Sequence, residues 1–266
     1  MENSFDNQED DRNDPLPRDP DEIEGYELFS ALRGLAVLDE DAYLRTQALN
    51  VSMVDKWLMG LEKRVRNSRF AEDERDHESE LFLGALSQMW LFAIYELLRT
   101  WRERAKDIQK WAANGGLPLK IASLEKERGY PHLAQEAFIG LLKLVSADSA
   151  ILARIADDLA RTHVLFGQLE FLRVALAKHQ VSGKEKQLAR APGVGRVDMW
   201  TGSMSYELSK GRIILGELKR RDVADRLRSL AVDRTVPSPE DMKSFDEFMK
   251  LSPNFDPFGD SQHGDG

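Results

Sequence analysis

Apolar residues recur along most of this chain at the spacing of one helix face. A short apolar helix is predicted from Tyr26 to Leu38, and Asp39-Glu40-Asp41 offers the cap and first-turn acids of the next. That second helix carries Leu44, Val51, Leu58 and Val65 seven apart, with Val54 and Leu61 between them and Gln47 as the polar entry. Together they make an a/d seam of about three heptads, the pattern of long antiparallel packing. From Glu72 to Ala113 no proline intervenes and the only glycine is Gly84. A seam of Trp90, Ile94, Leu97, Trp101, Ile108 and Trp111, with Arg104 in its polar slot, predicts one helix there. It would be about 63 Å long at ~1.5 Å per residue. Asn114-Gly115-Gly116 and Pro118 end it. Two shorter helices are predicted near 118–128 and 132–146, separated by Gly129-Tyr130-Pro131. A last long helix, 148–180, starts at the cap Asp148 and aligns Leu152, Ile155, Leu159, Phe166, Leu169 and Leu176, with Thr162 and Arg173 as exceptions.

The period changes after His179. Residues 181–195 are rich in Gly, Lys, Gln and Pro and read as a linker. Met204, Tyr206 and Leu208 then alternate with Ser203, Ser205 and Glu207, which is strand spacing. Ser209-Lys210-Gly211 supplies a turn, Arg212 to Leu215 a second strand, and Asp222 a cap for a helix through Val223, Leu227 and Leu230. Ser238-Pro239-Glu240-Asp241 has the cap, the first-turn proline and the acids of a helix start. The apolar stripe Met242, Phe245, Phe248 and Met249 follows, so a helix within 235–251 is expected to dock on the rest. The fold class is therefore mainly α. An elongated helical bundle with long antiparallel helices fills 25–180, and a small β-hairpin-plus-helix unit fills 196–234.

Charge divides the chain further. Of the 266 residues 31% are charged and the net charge is −9. Residues 1–24 hold ten acids against two bases, and 237–266 hold seven against two. Residues 178–236 reverse the balance, with 13 bases and seven acids. The segments 1–24 and 252–266 contain too few apolar groups to offset roughly 1–2 kcal/mol of backbone entropy per residue, and are expected to be disordered acidic tails. The absence of cysteine excludes a disulfide framework, a thiolate metal site and a Cys nucleophile, and fits a reducing compartment. The polar, acidic stretch Met1 to Arg12 does not read as a signal peptide, so a cytoplasmic location is expected.

Candidate chemistry is sparse. Glu74 and His77 form one Glu-x-x-His pair, and His132 and Glu136 stand four apart; neither completes a metal site, and no metal or cofactor is expected. Glu96 and Arg99 would face His163 if the two long helices run antiparallel. The Gly-x-Gly of Pro192 to Arg196 lacks the third glycine and the flanking strand and helix of a dinucleotide site. Residues 81–98 are nearly all apolar and touch the lower length limit for a membrane span, although Ser87, Gln88 and Glu96 argue for a buried central helix. Lys219, Arg220, Arg221, Arg226 and Arg228 form a basic group suited to phosphate contacts. The acidic ends are placed to compete for that face as mimics of a phosphate backbone.

One further spacing carries a resemblance. Arg173-Val-Ala-Leu-Ala-Lys-His179 is similar to the signature of the HEPN ribonucleases, an Arg followed by four to six residues and a His near a helix end. It departs from that signature in having Val174 where a polar residue is usual. The resemblance implies an all-α dimer in which Arg173 and His179 of two copies cleave RNA without a metal. The long seams and the lack of a convergent catalytic set favour protein–protein association instead, as a homo-oligomer or with a protein partner. A nucleic-acid-directed protein, including a HEPN-like nuclease, is the alternative, and a single-span membrane protein through 81–98 is the third reading.

Overall fold

The computed structural model describes residues 18–70, 76–126, 132–178, 180–181, 184–188, 194–210 and 213–250. Among them are nine α-helices: α1 Glu27–Arg33, α2 Ala42–Phe70, α3 His77–Ala113, α4 Leu117–Lys126, α5 Leu133–Ala147, α6 Ser149–Arg161, α7 His163–Lys178, α8 Arg220–Ser229 and α9 Pro239–Met249. Five strands accompany them: β1 Gln180–Val181, β2 Lys184–Leu188, β3 Gly195–Val197, β4 Met204–Lys210 and β5 Ile213–Lys219. The protein is mainly α with a small antiparallel sheet and a following helix, as the hydrophobic pattern predicts. Glu74 and His179 lie outside the described residues, and so do most of both acidic tails.

The centre is the antiparallel pair α2 and α3. On α2 one buried seam runs Leu44, Ala48, Val51, Asp55, Leu58, Glu62 and Val65, spaced alternately by four and three, with Ser52, Met59 and Leu61 buried beside it. The first row of this seam is the one the hydrophobic pattern predicts, and the second row is displaced from it by one. Val54 is exposed and Gln47 half-buried, Leu61 is buried as the pattern predicts, and Ala48, Asp55 and Glu62 take inward positions beside it. On α3, Trp90 and Trp101 are fully enclosed, and each indole N–H finds a backbone acceptor: Val51 O at 2.9 Å and Ala36 O at 2.8 Å. Both rings therefore enter the core without an unsatisfied donor.

The first helix ends at Arg33 rather than near residue 38, because the chain must turn sharply there. Val37 has φ 62, a strained value for a β-branched residue, and it is buried. The turn is held through its neighbour Ala36, whose N–H donates to Asp158 Oδ2 (2.8 Å) and whose carbonyl accepts from Trp101.

The helix predicted over 148–180 is two helices. They part at Thr162, one of the two exceptions on the expected seam. Its hydroxyl donates to Asp158 O (2.8 Å) and accepts from the Arg102 guanidinium (2.5 Å), so the polar side chain is bound inside rather than exposed. The stretch expected to be a linker contains the antiparallel pair β1–β2 and, at its end, β3. In the second sheet β4 is central, with order β3-β4-β5 and antiparallel pairing throughout. Tyr206, Leu208 and Leu218 turn from this sheet into the same core as α2, α3 and α8. α8 follows β5 directly with Lys219 at its N-cap, so Asp222 lies in the first turn instead of capping it.

The last helix starts where its cap residues predict. Ser238 and Asp241 form a reciprocal capping box. α9 docks on α7, where a Cβ added at Gly167 would lie 2.7 Å from the ring of Phe245. Among the described residues α3 is the one helix long and apolar enough to cross a membrane, and 44% of its apolar window is buried within the fold.

Candidate functional site

The basic group of α8 faces inward. Arg220, whose side chain is 0% exposed, donates from Nε and Nη2 to the two carboxylate oxygens of Glu62, at 2.6 and 2.7 Å. Its Nη1 is paired with Asp55, and its guanidinium lies 5.2 Å from the centre of the Trp90 ring. Arg228 takes the other oxygen of Asp55 and donates to Asp225 at 2.5 Å. Arg221 bonds Asp225 (2.9 Å) and the carbonyl of Arg18 (2.7 Å). Three arginines and three acids thus balance in one layer between α2 and α8. Burial alone would favour the neutral form of Arg220, but the carboxylates of Glu62 and Asp55 outweigh it and raise its pKa. Of the five basic residues singled out in the sequence, Lys219 is half-buried and paired with Asp198 (2.9 Å), and Arg226 is exposed and bonded to Gln168 (2.7 Å). The other three are engaged within the fold. Counting charges locates the basic segment and says nothing of its direction.

A basic surface does exist, on α2 rather than on α8. Residues 56–69 contain Lys56, Lys63, Arg64, Arg66 and Arg69 against the single acid Glu62, which faces Arg220. The chain preceding α1 runs along this edge. Lys63 pairs with Asp19 (3.2 Å) and Asp21 (2.5 Å), Arg66 approaches Asp19 at 3.8 Å, and Gly25 sits against the Lys56 side chain. The backbone N–H of Asp21 and the bond from Lys63 together hold the Asp19 pKa below the usual carboxylate range. The signal for this surface in the sequence is Lys56, Lys63 and Arg66, seven and three residues apart and so on one helix face.

Beside it lies the turn between β3 and β4. Asp198 organises this turn, accepting from Thr201 N–H (2.9 Å), Thr201 hydroxyl (2.8 Å) and Trp200 N–H (3.2 Å). Gly202 adopts φ 74 and presses on α2 so closely that a Cβ would lie 2.1 Å from the Glu62 carbonyl oxygen. Arg66 donates to the Trp200 carbonyl at 3.2 Å, and Trp200 itself is 71% exposed.

Arg173 of the HEPN-like spacing sits at the contact of α7 with α3. It approaches Glu96 at 3.9 Å, and its guanidinium lies 5.6 Å from the centre of the Tyr95 ring. Glu96 also accepts from Arg99, which reaches Glu103 on its other side, each at 2.8 Å. Burial, then the nearby Glu170, push the Tyr95 hydroxyl up. So α3 and α7 are neighbours, but the group that meets Glu96 is Arg173 and not His163. His163 bonds Asp246 of α9 at 2.8 Å. The second member of the HEPN-like pair, His179, lies outside the described residues.

A cavity of about 360 Å³ opens between the start of α7, the end of α8 and the chain that follows, lined among others by Arg161, Arg226, Ser229 and Asp233. Arg161 is occupied by Asp158 (2.8 Å) and by the carbonyls of Leu230 (2.6 Å) and Asp233. It closes the end of α8, and the Asp233 carboxylate is held below the usual range by the N–H and hydroxyl of Thr235, with Arg161 adding a smaller effect. No group of three or more His, Asp or Glu side chains suited to a metal occurs among the described residues.

The remaining surface feature is apolar. Trp57 on α2 and Phe82 on α3 meet edge to face, centroids 5.7 Å apart, yet remain 47% and 50% exposed. Val54 lies one turn from Trp57, and Met89 lies two turns from Phe82 on the same face of α3, 66% exposed. Compared with known proteins, the chain matches no family model, no curated sequence and no solved structure.

Proposed function

We propose that this protein is an association module that pairs with a second protein chain, in the first instance another copy of itself, through the apolar face shared by α2 and α3. The observation that carries the reading is the exposed Trp57–Phe82 pair with Met89 and Val54 beside it. Large aromatic and methionine side chains clustered on two rigid helices are what the anchored centre of an interface requires, since apolar anchors supply most of the association energy. A contiguous apolar patch of this kind on a soluble surface ordinarily marks a contact site. The rims supply polarity: Arg64 and Asn67 on α2 and Glu78 on α3 are exposed. Light scattering coupled to size exclusion tests the reading on the full chain. The expected outcome is a mass above one protomer that falls to one protomer in Trp57→Glu and in Met89→Glu. A wild-type chain that stays at one protomer across all accessible concentrations would remove self-association.

A further inference from the structure

The surface that the N-terminal segment covers on α2 has the chemistry of an anion-binding groove. Lys63 and Arg66 present their cations along one edge, and the exposed Trp200 stands next to Arg66 because Arg66 holds its carbonyl. Lys56 precedes Lys63 by two turns on the same face of α2, and Arg196 is exposed on β3. Of the acids on neighbouring elements, Glu62 is bound by Arg220, Asp198 by Lys219 and Glu80 by Arg69. What neutralises Lys63 and Arg66 is the pair Asp19 and Asp21, carried by a segment with ten acids in residues 1–24. Asp21 is 79% exposed, so water can replace it at little cost in burial. Ion pairs this exposed are worth about 0–1 kcal/mol, weak enough to exchange for another anion.

We infer that the Lys63–Arg66–Trp200 strip binds single-stranded nucleic acid, and that Asp19 and Asp21 occupy the strip in the free chain. The cations match phosphates spaced along a flexible strand, and the indole offers a face on which a base stacks. The combination of a basic edge with an exposed aromatic favours a single strand over a plain polyanion, for which the ring has no use. The inference is independent of self-association, because Trp57, Phe82 and Met89 take no part in it.

Fluorescence anisotropy of a labelled single-stranded oligonucleotide at low salt tests it on the full chain. Asn keeps the acceptor oxygen with which Asp19 caps the turn at Pro20–Glu22, so Asp19→Asn/Asp21→Asn removes charge without removing the cap. The double variant is expected to bind on the order of tenfold more tightly than wild type, with a slope of log K against log salt steeper by about 1.4 for two freed phosphate contacts. Asp21→Asn alone, at an exposed position, is expected to give part of the gain. On the double-variant background, Lys63→Gln/Arg66→Gln is expected to abolish the gain, and Trp200→Ala to weaken binding roughly tenfold. Equal affinity of wild type and both Asn variants would overturn the inference. So would a gain that Trp200→Ala leaves intact, or one seen with heparin or anionic vesicles and not with the oligonucleotide.

Discussion

Arg220 and Glu62 stand 158 positions apart in the chain and meet through two parallel bonds, 2.6 and 2.7 Å long, in a site closed to water. The pair joins the small α/β unit to the helical bundle. It also fixes the register of α8 against α2, since Asp55 lies two turns earlier on the same face and is shared with Arg228.

The first prediction follows from that closure. Glu62→Gln leaves the Arg220 guanidinium with half its compensation in a dry site, a change that ordinarily costs about 3–5 kcal/mol. At ~2–4 °C per kcal/mol, the melting temperature is expected to fall by roughly 6–20 °C. Removing the charges together, as Glu62→Leu with Arg220→Met, leaves the Asp55–Arg228 pair intact and is expected to recover most of the loss. Urea titration of the four members of this cycle measures the coupling directly.

This layer also explains which parts of the structure the sequence discloses. The first row of the α2 seam is apolar and therefore visible: Leu44, Val51, Leu58 and Val65 are all buried. The second row holds Ala48, Asp55 and Glu62, which a hydrophobic pattern assigns to the solvent side in favour of the neighbouring Gln47, Val54 and Leu61. Only Leu61 of these three is buried. Two acids can face inward because two arginines arrive from a helix far along the chain, and no local signal carries that. The same holds for Thr162, which breaks the last long helix through a bond from Arg102. The start of α9 and the presence of strand β4 are local features, and both are legible, although β4 is buried throughout except at Glu207. So is the basic segment as a composition, though not that Arg220, Arg221 and Arg228 turn inward, nor that a basic surface sits on α2.

Gly202 supplies the second prediction. Its φ of 74 and the 2.1 Å that would separate a Cβ from the Glu62 carbonyl oxygen leave no room for a side chain. Gly202→Ala combines backbone strain, of order 1–3 kcal/mol, with displacement of the turn from α2. The expected result is a lower unfolding midpoint and a loss of amide protection at Trp200 to Ser203, read by hydrogen exchange. Protection in α3 far from the contact, around Ile108, is expected to persist.

Tyr206 gives a prediction in pH. Burial pushes its hydroxyl well up from the ordinary value, against smaller opposing effects of a bond with Gln88 and the charge of Arg220. Its pKa is raised on folding, so the folded state favours the neutral phenol. That contribution is complete below the unfolded value near 10 and is lost progressively as pH rises above it. In an absorbance titration of the five tyrosines, Tyr206 is expected to ionise together with the loss of helical circular dichroism. Tyr206→Phe is expected to shift the alkaline unfolding midpoint upward relative to neutral-pH stability. An early, fully reversible titration of all five tyrosines in the folded chain would contradict it.

The docking of α9 rests on a contact that can be broken from either side. Phe245 lies over Gly167, and a Cβ there would stand 2.7 Å from the ring. The ring also meets His163 edge to face at 5.9 Å, next to the bond between His163 and Asp246. Phe245→Ala removes the ring, and Gly167→Ala pushes it away while leaving the sequence of α9 untouched. Because Phe245 is half-buried, each change is expected to cost roughly 1–3 kcal/mol, below the range for a fully enclosed phenylalanine. The loss should fall on α9 alone: amide exchange in Pro239–Met249 is expected to accelerate by one to two orders of magnitude, at about 1.4 kcal/mol per tenfold, with α2 and α3 unchanged. The double variant is expected to cost little more than either single one, since both delete the same contact. Additive losses would mean that the ring and the glycine act separately.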